Sequence, residues 1–73
     1  MDKDNNLPGR ITGARNTLGL TQAQLAQRLG VSRPTVTQWE SGAREPRSVD
    51  ALVRLADALG CTLDWLCAGH DQI

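Results

Sequence analysis

Thr21–Glu40 reads TQAQLAQRLGVSRPTVTQWE. Two helix starts fall inside these residues. Thr21 followed three residues later by Gln24 makes a capping box, a side-chain pair that satisfies free amides at a helix entrance. Ser32 caps a second start through the amide of Thr35, with Pro34 in the first turn, where its missing N–H costs nothing. Because proline disfavours α geometry in the residue before it, this cap has room to slip to Arg33. Between the two starts stands Gly30, at the place of a left-handed C-cap, and then Val31, pointing back to the core. A chain that must hide apolar surface gains little by breaking a helix after two turns. Two short helices, a glycine turn and a second helix that is polar outside make a helix-turn-helix. Its geometry braces one helix with another and aims the second outward.

The flanks supply the rest of the fold. Leu7, Ile11, Ala14 and Leu18 recur at helical spacing, with Asn6 as N-cap and Gly19 as the stop. Gly9 and Gly13 each weaken that helix by about 1 kcal/mol relative to alanine, unless a neighbour packs closely there. Leu25, Ala26 and Leu29 face inward from the second helix, and Val36 and Trp39 anchor the third, which Gly42 ends. After a loop containing Pro46, a fourth helix starts near Ser48 with an inner stripe of Val49, Leu52, Val53, Ala56 and Leu59. Gly60 caps it. Thr62 opens a short fifth helix carrying Leu63, Leu66 and Cys67, which Gly69 stops. The expected fold is all-α: a compact bundle of five short helices containing a helix-turn-helix. Residues 1–6 read as a flexible N-terminus, 7–69 as the domain, and 70–73 as a C-terminal tail.

Seventy-three residues allow one domain, which buries only about 60% of its unfolded surface. With neither Phe nor Tyr, Trp39 and Trp65 are the large rings and read as core. Net charge is zero, yet its distribution is polarised. Arg10, Arg15, Arg28, Arg33, Arg44 and Arg47 face only Glu40 and Glu45, whereas from Ser48 onward Arg54 stands against Asp50, Asp57, Asp64 and Asp71. A basic front half and an acidic rear half follow. Cys61 and Cys67 match no compact zinc or redox spacing and read as small hydrophobes in a reducing, cytoplasmic protein. No signal peptide or membrane-spanning run is seen. His70 stands alone, and no nucleophile sits beside a base, so neither catalytic residues nor a metal or cofactor are expected.

The stretch TQAQLAQRLGVSRPTVTQWESG resembles the DNA-binding domain of the lambda-repressor and Cro group, the Xre family. RITGARNTLGLTQ resembles its first helix and the entry to the second, and ALVRLADALGCTLDWLCAG its last two. The resemblance covers roughly Arg10 to Gly69. It implies that Arg33, Pro34, Thr37 and Gln38 meet base edges in the major groove. Their chemistry suits that role. Arg grips guanine O6 and N7, Gln grips adenine N6 and N7, and proline offers an apolar edge to a thymine methyl. The competing reading is an ordinary solvated face. The resemblance further implies phosphate contacts by Thr21 and Gln22 at a helix N-terminus, with Gln22 also bracing the recognition helix. A second clamp is implied at Ser41, Arg44 and Arg47, where Glu45 weakens the local field. It also implies a shielded pair of Arg15 and Glu40 tying the first helix to the third, and a dimer surface around Cys61, Thr62, Leu63 and Trp65.

The function expected is sequence-specific recognition of double-stranded DNA by a transcriptional regulator, a phage-type repressor. One recognition helix reads few base pairs, so a homodimer on half-sites about 34 Å apart is expected. The rival class is an antitoxin or regulatory module whose main partner is a protein, such as a toxin or an antirepressor, since a fold does not dictate a function. The chain reads equally as a complete short Cro-like protein or as the amino-terminal part of a longer repressor.

Overall fold

The computed structural model describes residues 6–68, in which five helices follow one another: α1 (Leu7–Thr17), α2 (Gln22–Leu29), α3 (Arg33–Ser41), α4 (Val49–Leu59) and α5 (Leu63–Ala68). The readings made for residues 1–5 and for Gly69 to Ile73 lie outside the described residues. Each helix begins where a side chain replaces a missing backbone acceptor. Asn6 Oδ1 accepts from the Gly9 amide at 2.9 Å and caps α1. Thr21 Oγ1 accepts from the Gln24 amide at 3.0 Å while Gln24 Oε1 accepts from the Thr21 amide at 2.8 Å, which completes the capping box. Ser32 caps α3, with Arg33 its first helical residue; Ser48 caps α4, and Thr62 accepts from the Trp65 amide at the start of α5.

The turn between α2 and α3 depends on Gly30, whose φ of +73° lies in the left-handed region. Its conformation lets the Val31 amide reach back to the Ala26 carbonyl at 3.0 Å and closes α2. The chain then turns at once into Ser32 and α3.

Every helix contributes one side chain with no exposed surface to the centre: Ile11, Leu25, Val36, Leu55 and Leu66. Around them lie Ala26, Leu29, Ala56 and Leu59. α3 packs on α2 and α1, while α5 packs on α1 and α4. α1 is the shared neighbour of α3 and of the α4–α5 pair.

Several sequence expectations need correction. The buried stripe of α4 is Leu55, Ala56 and Leu59, flanked by half-buried Leu52; Val49 and Val53 are 71% and 47% exposed. With Leu55 central, Val53 projects about 160° away at 100° per residue, which puts it on the solvent side. Leu18 is likewise exposed, beyond the last turn of α1. Trp39 and Trp65 are half-buried and pack against the core's edge, too large for its centre. A Cβ on Gly13 would meet nothing within 4 Å, so no close neighbour explains that glycine.

Arg10 is the one buried charged residue among those described. Its Nε donates to the Leu66 carbonyl at 2.8 Å and Nη2 to the Cys67 carbonyl at 3.2 Å, so a cation on α1 sits against the C-terminal end of α5. Cations are favoured at that end of a helix. In the sequence, Arg10 reads only as part of a basic front. Among the described residues no helix is long and apolar enough to cross a membrane.

Candidate nucleic-acid interface

α3 presents two unlike faces. Val36 is fully buried and Trp39 packs behind it, whereas Arg33, Pro34, Thr37 and Gln38 are exposed. Positions i, i+1, i+4 and i+5 of a helix occupy one broad outer arc. With Gln22 from α2, these four line a shallow depression. A second depression, over the α2 entrance, is lined by Arg15, Thr21, Gln22, Ala23 and again Arg33. Arg33 and Gln22 thus join the outer face of α3 to a helix N-terminus, where exposed amides and the positive dipole end favour an anion.

Behind this surface lies a polar network centred on Glu40. Its Oε2 meets Arg15 Nε at 2.7 Å, and the side chains of Arg15 and Glu40 are only 13% and 6% exposed. Oε1 accepts from Arg15 Nη2 at 3.0 Å, from Gln22 Nε2 at 3.1 Å and from Thr12 Oγ1 at 3.1 Å. Burial works against the charge on Glu40. The hydrogen bonds from Arg15 and Gln22, the Arg15 charge and the Thr12 hydroxyl outweigh it, and the carboxyl titrates below its ordinary value. Arg15 Nη1 also donates to the Leu20 carbonyl at 2.8 Å, which ties in the α1–α2 turn. One carboxylate therefore fastens α1, α2 and α3 together. Gln22 extends the network outward, where its Oε1 accepts from Thr37 Oγ1 at 2.9 Å.

The loop after α3 holds a further depression lined by Arg44, Glu45, Pro46 and Arg47. Pro46 is buried and pins the loop, leaving both arginines exposed. Ser41 is differently placed. Its hydroxyl donates to the Gln38 carbonyl at 3.1 Å and accepts from the Ala43 amide at 3.3 Å, so it closes the end of α3. In a separate groove, half-buried Cys61 and Trp65 lie with Leu18 and Leu59, while Thr62 and Leu63 are exposed. Cys61 and Cys67 are free thiols.

Residue types and periodicity mark the α3 face and Gln22 but not the reach of Glu40, because hydrogen bonds between helices leave no periodic trace. The resemblance pointed to the Arg15 partnership alone. Thr12 gives no sign in the sequence that its hydroxyl meets Glu40.

Two capped helices joined through a left-handed glycine, the second polar outside and wedged from behind, define a helix-turn-helix. The chain belongs to the helix-turn-helix family: the family model of that description matches residues 13–66. It is similar to the cryptic phage CTXphi transcriptional repressor RstR of Vibrio cholerae, 38% identical over 58 residues that cover 80% of this chain and 51% of that protein. It is equally similar to repressor protein C2 of Salmonella phage P22, 38% identical over 60 residues, 82% of this chain and 27% of that protein. The fold superposes on the P22 c2 repressor in complex with a synthetic operator with a TM-score of 0.83 and 35% identity, covering 89% of this chain and 97% of that one. The chain spans about half of the length of RstR and less of C2.

Proposed function

We propose that this chain is a sequence-specific, double-stranded-DNA-binding transcriptional regulator, a repressor that acts in the cytoplasm as a symmetric dimer. The observation that carries the reading is the outer face of α3, where Arg33, Pro34, Thr37 and Gln38 stand exposed over a buried Val36. A helix of this kind fits the major groove, where each base pair shows a distinct set of donors and acceptors. Similarity to an operator-bound repressor supports the same assignment.

In this reading Arg33 and Gln38 read base edges, with Pro34 and Thr37 beside them. Thr21 and Gln22 hold a phosphate at the α2 entrance, and Arg44 and Arg47 hold another at the α3–α4 loop. Ser41 joins them in that clamp, its hydroxyl turning from the Gln38 carbonyl to the phosphate on binding. The dimer forms around Cys61, Thr62, Leu63 and Trp65, where Leu63 is exposed and exposed Leu18 shares a groove with Cys61 and Trp65. The acidic residues of the rear half then lie away from the phosphates.

Selection of bound duplexes from a random pool, followed by titration of the winner at rising salt, tests this. A two-fold symmetric consensus and steep loss of affinity with salt are expected, because phosphate contacts release counterions. Absence of any enriched sequence would reject the reading and favour a module whose main partner is a protein.

A further inference from the structure

The Glu40–Gln22–Thr37 chain of hydrogen bonds has a direction. An ionised carboxylate accepts and never donates, and Glu40 sits beside Arg15 with its charge matched. The Gln22 amide must therefore turn its nitrogen toward Glu40, at 3.1 Å. That orientation leaves Gln22 Oε1 facing Thr37, whose hydroxyl donates to it at 2.9 Å. The other protein group within reach of that hydroxyl is the Arg33 carbonyl at 3.2 Å, again an acceptor. A hydroxyl has a single hydrogen. Both partners draw it toward the protein, and neither occupies a lone pair of the oxygen. Thr37 is exposed in the depression it shares with Arg33, Pro34 and Gln38. It consequently faces outward as an acceptor.

In the major groove the donors are the exocyclic amines, adenine N6 and cytosine N4; guanine O6 and N7, adenine N7 and thymine O4 all accept. We propose that Thr37 is a specificity-determining residue that takes a hydrogen bond from an adenine or cytosine amine, complementing Arg33, which only donates. This rests on the DNA-reading role of α3 and adds a polarity to it. A wrong base would meet the Thr37 oxygen with an acceptor, and relief would require turning the hydroxyl away from Gln22 and Arg33.

The test uses the whole chain and the duplex it selects. The base pair at which Thr37→Val loses preference is identified, and analogues are placed there. One replaces the amine by hydrogen, and the other replaces the purine N7 by carbon. Amine removal should weaken the parent chain by about 3–10-fold, the worth of a net hydrogen bond, and Thr37→Val by less than about twofold. N7 removal should affect both equally. Thr37→Ser, which keeps the hydroxyl, should behave as the parent. Coupling of the hydroxyl to N7 or another acceptor overturns the proposal. So does Thr37→Val that selects unchanged sequences, or Thr37→Ser that behaves as Thr37→Val. If the parent selects no sequence, the DNA-reading role itself fails, and this inference with it.

Discussion

Removing the Glu40 carboxylate tests the network that holds α1, α2 and α3 together. In Glu40→Ala, Arg15 keeps only the Leu20 carbonyl, with 13% of its side chain exposed. Thr12 retains a bond to the Pro8 carbonyl, but Gln22 loses its anchor. A stranded buried charge costs about 3–5 kcal/mol. A domain of this length is stable by about 4–11 kcal/mol in total. The loss is thus about a quarter or more of the whole, and the melting temperature should fall by on the order of 12–40 °C. Urea and thermal unfolding followed by circular dichroism at neutral pH read it directly. The double variant Arg15→Leu with Glu40→Leu should recover most of the loss, because it leaves no unpaired charge. Acid titration adds a sign. The folded Glu40 carboxyl lies below the ordinary value of 4.5, so its contribution is complete above that pH and disappears as pH falls through the lower folded value. Glu40→Gln should flatten that acid limb. A cost below about 1 kcal/mol for Glu40→Ala would refute the reasoning, since it is what a solvent-exposed pair gives.

Three further outcomes are expected. Gly13→Ala should stabilise the fold by about 0.5–1 kcal/mol, because a helical position with open space gains propensity, whereas Gly30→Ala at φ +73° should cost about 1–2 kcal/mol; chemical denaturation of both checks the pair. Leu55→Ala should cost about 2–5 kcal/mol while Val53→Ala stays within about 0.5 kcal/mol, as measured by unfolding midpoints. In binding titrations across related duplexes, Arg33→Ala should lose about 1–3 kcal/mol of preference at one base pair, while Arg47→Ala weakens all duplexes alike and lowers the salt slope by about 1.

Local chemistry was the legible part of the sequence. Thr21, Gln24, Gly30, Ser32, Ser48, Gly60 and Thr62 act through neighbours a few residues away, and all of them occupy the caps and turns their types suggest. Helix faces were legible where polar and apolar residues alternate, as in α2 and α3. They failed in α4, where apolar residues cover more than one face and only packing chooses between Val53 and Leu55. Long-range polar partners left the weakest trace. Arg10 meets carbonyls 56 and 57 residues away, and Thr12 meets Glu40 across 28. Main-chain acceptors have no residue-type signature, so nothing in the sequence marks them.

The central claim is that α3 is the surface that touches DNA. Backbone amide spectra of the full chain, recorded as the selected duplex is added, test it most directly. The largest changes are expected at Thr21–Ala23, Arg33–Gln38 and Arg44–Arg47, with little at the base of α1. Changes confined to the groove of Leu18, Cys61 and Trp65, with Arg33–Gln38 unmoved, would contradict it.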